Sequence, residues 1–242
     1  MTRQLLIDTL LTGQSLTHQM KSSIALAETN IVPDSGPARH RRKDARPSEL
    51  TAAALELFVE KGFAATRLDD VAARAGVSKG LLYLYFDSKE ALFKAVIEEG
   101  IVPILESAER ELAEYEGDSV DLLHRLLFGW WELFGGTRLS GVSKLILSES
   151  NNFPDVARYY HDRVIARGRA LMRAVLQHGV NRGEFHVPDL EKSIDVILAP
   201  LMMLVIWRSA PHLYGRDTDP TTFLQTHYEL LVHGLRVPKE TR

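Results

Sequence analysis

The sequence predicts an all-α protein of about nine helices, a helix–turn–helix unit followed by a longer helical bundle. Three observations carry this. Residues 67–86, RLDDVAARAGVSKGLLYLYF, read as two short helices around a glycine turn. From residue 99 onward apolar residues recur at helical spacing, with no strand-like alternation. Breaks at Gly117-Asp118, Gly135-Gly136, Asn181–Gly183 and Tyr214–Pro220 divide that stretch at helix-length intervals.

Residues 1–38 are polar and mixed and end in NIVPDSGPA, whose Pro, Gly and Ser mark a linker. They are expected to be a disordered extension, or else the product of an upstream start codon. A basic run follows, with Arg39, Arg41, Arg42, Lys43 and Arg46 opposed by Asp44. Leu50, Ala53, Ala54, Leu57 and Phe58 then form a helical stripe that Gly62 ends. Thr66 is expected to cap the next helix, in which Val71, Ala72 and Ala75 make a short apolar face. Gly76 can take the positive φ that a helix end requires, and small Ala72 allows a close crossing. Ser78 can cap a second helix carrying Leu82, Tyr85 and Phe86 inward, and Ser88 opens a fourth with Ala91, Leu92 and Ala95. That fourth helix is expected to run on past Pro103 with a kink. Further helices are expected near 119–134, 140–150, 154–181, 188–211 and 219–235, with Pro200 kinking the fourth of these.

Over residues 46–98 the chain closely resembles the DNA-binding domain of the TetR/AcrR family of transcriptional regulators. The marks are ALELFVEKGFAAT, DDVAARAGVSKG, the aromatic YLYF and the SKEALF after it, in order and at the right spacing. The resemblance implies a DNA-binding domain at 39–98 and a ligand-binding and dimerisation domain at 99–242. It also implies a ligand-responsive, sequence-specific regulator, most often a repressor, working as a homodimer on a palindromic operator. A DNA-binding dimer without a small-molecule effector, controlled by a protein or acting architecturally, is the alternative.

Composition permits this and narrows the rivals. The 242 residues are 45% apolar, enough for a substantial core. The absence of cysteine excludes disulfides and thiolate metal sites and suits a reducing cytoplasm. Net charge is −3, so nucleic-acid affinity needs a local basic patch such as 39–46. Leu5 to Leu11 is short and interrupted by Asp8, and Val196 to Trp207 contains Pro200, so neither reads as an export signal or a membrane span of roughly twenty residues. None of the nine histidines pairs as HxxxH or HExxH, and GxGxxG, P-loop and GxSxG motifs are missing. An enzyme is therefore disfavoured, and no cofactor or metal is expected.

For DNA, the candidate contacts are Arg41, Arg42, Arg46, Thr66, Arg67, Lys79, Gly80, Leu81, Tyr83, Leu84, Tyr85 and Lys89. The arm can follow a phosphate strand or enter a minor groove, or it can be a solvated linker. Lys79 and Lys89 flank the second helix as phosphate contacts, and Thr66 can reach a phosphate besides capping. The resemblance places Tyr83 and Tyr85 against backbone or base edges. Leu81 and Leu84 stand where the family often has Thr and His, which removes polar contacts; Leu81 can press on a thymine methyl, with Leu84 packing.

Trp130, Trp131, Phe134, Tyr159, Met172, Met202 and Trp207 are candidates for an apolar effector pocket, since Met and aromatic side chains suit a plastic cavity. The same stripe can equally be plain core. Phe223, His227, Leu230, Leu231 and Leu235 form a narrow apolar seam for a dimer interface, or a face buried in the subunit itself. Ligand in the central bundle is expected to swing Ser88–Pro103 and change the separation of two recognition helices.

Overall fold

The computed structural model describes residues 47–210, 212 and 219–237; the extension 1–38 and the arm with Arg41, Arg42 and Arg46 lie outside them. The elements are α1 (Pro47–Lys61), α2 (Leu68–Arg74), α3 (Lys79–Tyr85), α4 (Lys89–Gly100), α5 (Val102–Ala113) and α6 (Ser119–Trp130), which a π turn extends through Trp131–Gly135. After these come α7 (Ser140–Glu149), α8 (Pro154–Tyr160), a π turn at His161–Ile165, α9 (Ala166–Asn181), α10 (Leu190–Ser209) and α11 (Pro220–Leu235). Counting α4 with α5, on either side of the bend at Ile101, and α8 with α9, on either side of the π turn, as one helix each, the described residues hold the nine helices expected. No strand occurs among them, and an isolated antiparallel bridge joins Phe185 to Arg236.

Local chemistry sets the ends. Ser78 and Ser88 cap α3 and α4, accepting from the amides of Leu81 and Ala91. Asp118, Asp189 and Asp219 do the same for α6, α10 and α11. Gly62 and Gly76 have φ of 83° and 72°, the left-handed turns that end α1 and separate α2 from α3.

Two expectations need correction here. Thr66 does not cap α2, whose N-cap is Arg67 with no side-chain bond. Its buried hydroxyl lies 2.7 Å from the Gly62 carbonyl and 3.1 Å from that of Leu57, closing the end of α1 instead. The helix from Ser88 does not continue through Pro103. It stops at Gly100, and Pro103 occupies the first turn of α5, where a missing N–H costs nothing. The bend falls at Ile101 (φ −105°, ψ −44°). Pro200, by contrast, lies inside α10 as expected.

Apolar packing does not follow the boundary at 98/99. One cluster joins Leu50, Phe58, Phe63, Leu82, Leu92 and Phe93 of the first four helices and their turns with Val142, Leu145, Ile146, Val156 and Tyr160 of α7 and α8. A second cluster gathers Leu123, Leu127, Met172, Leu176, Ile197, Leu204 and Leu224 from α6, α9, α10 and α11. A charged clamp reinforces the join. Glu98 of α4 receives two bonds of 2.7 Å from Arg163 and one of 2.5 Å from the Tyr159 hydroxyl. Within the C-terminal part, Glu109 of α5 receives a bidentate pair from Arg167 at 2.8 and 2.6 Å.

Candidate DNA interface and effector cavity

Leu82, fully buried, fixes the rotation of α3. At about 100° per residue, Gly80 and Leu84 lie on the opposite side, one turn apart. The outward face therefore centres on Gly80 and Leu84, with the exposed side chains of Lys79 and Tyr83 along its flank. Tyr83 is 45% and Leu84 80% exposed. Tyr85, expected to turn inward with Leu82 and Phe86, is instead exposed next to buried Phe86. Leu81 is half-buried and packs against the first core cluster, which withdraws it from the role of methyl contact.

The cations near this face differ in freedom. Lys79 donates to Asp69 at 2.8 Å and lies 5.7 Å from the Tyr83 ring centre; hydrogen bonding to Asp69 raises its pKa. Both groups are exposed, so a phosphate can compete for the amine. Arg67 is the exposed N-cap residue of α2. Lys89 is turned inward: its amine donates to the carbonyls of Phe63 (2.6 Å) and Ala64 (3.0 Å) over the rings of Phe63 and Phe153. Burial holds its pKa below the usual lysine range. Lys89 and Thr66 thus tie the turn after α1 in place, and the structure does not present them for phosphate contact.

A cavity of about 110 Å³ lies between α5, α6 and α9. Its walls include Leu105, Ala108, Leu122, Leu126, Gly129, Trp130 and Leu171, and Glu111 and Arg125 sit among them. Arg125 donates to Asp121 at 2.6 Å and approaches Glu111 at 3.5 Å. Of the aromatic and Met candidates, Trp130 lines this space. Phe134 is buried in the first core cluster and Met172 in the second. Trp131 stacks under Arg208 at 4.9 Å, Tyr159 bonds Glu98, and Trp207 meets Phe223 edge-on at 5.6 Å. Met202 is half-buried on α10. The missed walls had a signal, since 104/105/108/112, 122/126/129/133 and 171/175 are apolar or small at helical spacing.

The seam on α11 divides. Leu235 is buried in the subunit's own core, while Phe223 and Leu231 pack against it. His227 Nε2 lies 3.0 Å from the Ile197 carbonyl. Leu230, at 68% exposure, faces outward, as does Val196 of α10, also 68%.

Comparison with known proteins agrees with this geometry. Residues 50–96 match the family of bacterial regulatory proteins, tetR family, and residues 116–213 match the tetracyclin repressor-like C-terminal domain. The HTH-type transcriptional activator FasR of Mycolicibacterium smegmatis is 38% identical over 82 residues, 33% of this chain and 37% of that protein. The HTH-type transcriptional repressor KstR2 of Rhodococcus jostii is 32% identical over 198 residues, 81% of this chain and 94% of that one. The transcriptional regulator FadR from Bacillus subtilis, solved in complex with stearoyl-CoA, shares the fold, with a TM-score of 0.66 at 22% identity over 78% of this chain and 99% of that one. The helix–turn–helix, the helical bundle behind it and a near full-length relative lead to one conclusion: this chain belongs to the tetR family of bacterial regulatory proteins, DNA-binding regulators of transcription.

Proposed function

We propose that this protein is a cytoplasmic homodimeric repressor, released from a palindromic operator by a small apolar or amphipathic effector. The observation that carries the reading is the first core cluster, which binds the helix–turn–helix to α7 and α8 without an apolar break. The second support is the cavity, walled by α5, the helix that follows the DNA-binding unit through the bend at Ile101. At about 110 Å³ it is smaller than the ~300–1,000 Å³ of most ligand pockets. A ligand of useful size must therefore part α5 from α6, and that displacement reaches α4 through Gly100–Val102. Gly100 packs against Leu139, to which an added Cβ would come within 2.7 Å, so the bend has little room to move independently.

Full-length likeness to a protein named as a repressor favours repression. The apolar walls, with Arg125 and Glu111 at one side, suit an alkyl or acyl chain with a polar end. Exposed Val196 and Leu230 on the packed pair α10–α11 supply the dimer face, replacing the inward Leu235 of the seam. On DNA, Arg67, Lys79 and the arm Arg41, Arg42 and Arg46 would neutralise phosphates while Gly80, Tyr83, Leu84 and Tyr85 approach the groove.

The test is titration of the full chain onto labelled DNA from upstream of its own gene, with random competitor, at two salt concentrations. Binding that outcompetes random DNA at two subunits, or a small multiple, per site is the expected result. No binding at low salt would overturn the reading. Acyl carboxylates and thioesters then serve as effector probes, expected to raise the melting temperature and release the DNA.

A further inference from the structure

We infer that Leu84 is a base-reading residue and recognises the C5 methyl of a thymine in each half-site; this rests on the DNA-binding function proposed for the chain. A single exposed leucine is ordinary on a protein surface and carries nothing alone. Leu84 has three further properties. Its 80% exposure is the highest among the described large apolar residues, ahead of Val196 and Leu230 at 68%. It sits on the outer face of α3 opposite fully buried Leu82, so its direction is set by the core rather than by a free rotation. One turn before it, Gly80 has no side chain and open space about its Cβ position, which lets this side of the helix come close to a groove floor.

The outer face of α3 is poor in side chains that could pair bidentately with a base edge, since the exposed Tyr83 and Tyr85 hydroxyls each offer a single hydrogen-bonding atom. A bidentate reading of guanine or adenine needs Arg, Lys, Asn or Gln. Along α3 the sequence is KGLLYLY, with Lys79 at the first position, held by Asp69 and leaning over Tyr83. Gly80 and Leu84 offer no polar side-chain group. In the major groove the base-edge feature that an aliphatic side chain can distinguish is the thymine methyl, which the other unmodified bases lack. Leu81, the other aliphatic candidate, is half-buried against the core. Methyl recognition therefore falls to Leu84 rather than Leu81.

Removing only the methyl is a clean perturbation, because deoxyuridine pairs as thymidine does. On an operator established by competition, each thymidine of both half-sites is replaced in turn, and the wild type is compared with Leu84→Ala. One position per half-site is expected to weaken wild-type binding about fourfold when changed once and about tenfold or more when changed in both halves. Leu84→Ala should bind the unmodified site with a similar loss and be insensitive to that replacement. Its melting temperature should match the wild type, since the side chain packs on little in the subunit. Silence at every deoxyuridine, or a Leu84→Ala protein as sensitive as the wild type, overturns the assignment while leaving specific binding intact. Failure of the preceding competition to find any DNA that the wild type prefers to random sequence overturns the regulator reading, and this one with it.

Discussion

Glu184 shows how one side chain can tie distant elements together. Its carboxylate accepts from the Ser119 amide at 2.7 Å, at the positive end of α6, and from Arg182 at 2.8 Å. Ser119 is fully buried and its hydroxyl bonds the His178 ring at 2.8 Å, so α6 and α9 are pinned through adjacent groups. The hydrogen bonds from Ser119 lower the Glu184 pKa to about 2. A folded-state pKa below the unfolded one means that the stabilisation is complete above the unfolded value, roughly pH 4.5, and is lost as pH falls towards 2. Glu184→Gln should therefore be less stable than wild type at pH 7, with the gap narrowing as pH falls from 4.5. Urea melts at pH 7, 4 and 2.5 measure this, and a gap that stays constant across them would refute the charge argument. His227 behaves in the opposite chemical sense with the same direction in pH. Burial depresses its pKa, so the neutral ring of the native state becomes a liability as the solution is acidified below about pH 6.5.

Helix α9 contains two glycines whose surroundings predict opposite outcomes for the same substitution. A Cβ at Gly179 would fall 2.1 Å from Cδ2 and 2.5 Å from Cγ of Phe185, a buried residue whose backbone bridges to Arg236 just past α11. A Cβ at Gly168 meets nothing within 4 Å. Alanine gains up to about 1 kcal/mol over glycine inside a helix, whereas overpacking a fixed core costs about 1–3 kcal/mol. Gly168→Ala is expected to raise the melting temperature by a few degrees, and Gly179→Ala to lower it. A stabilised Gly179→Ala would show that Phe185 moves aside freely. Such contacts mark where legibility in the sequence ended. Caps at Ser78 and Ser88, turns at Gly62 and Gly76 and the helices from Ser119 to Leu235 were readable, because spacing and capping are local properties. The break at Ile101 was not, since a proline announces a disturbed helix without saying whether it lies inside one helix or begins the next. The exposed face of α3 was readable in part: Tyr83 came from the family resemblance rather than from spacing, and the inward turn of Lys89 depends on carbonyls 25 and 26 residues earlier. The cavity was hardest, because large aromatic and Met side chains fill space, and the walls of a void are marked by what is small, such as Ala108 and Gly129.

At the scale of the whole molecule, the first core cluster implies cooperative folding. Within it, Val142, Leu145, Ile146, Val156 and Tyr160 complete an apolar core whose other half is Leu50, Leu57, Phe58, Leu92 and Phe93. Tyr160 is held there through its hydroxyl, 2.8 Å from that of Ser143, and burial pushes its pKa up to about 12, so the ring remains neutral throughout the working pH range. Ion pairs from Glu56 to Arg138 and from Glu98 to Arg163 cross the same junction. Exposed pairs of this kind contribute little each, so the apolar cluster dominates the coupling. If so, the helix–turn–helix cannot open independently of α7 and α8, which is also the condition for a ligand signal to reach DNA through packing. Leu145→Ala, on α7, should cost about 2–5 kcal/mol and lower protection against hydrogen exchange in the amides of α1 and α4 as much as in α7 itself. Far-ultraviolet circular dichroism, which reports all helices, and fluorescence of Trp130, Trp131 and Trp207, which lie beyond the helix–turn–helix, should follow one thermal transition. Full protection of α1 amides in Leu145→Ala, or an early transition seen in dichroism but not in fluorescence, would mean two units that fold apart. In that case an effector would have to act through the separation of the dimer's halves rather than through the shared core.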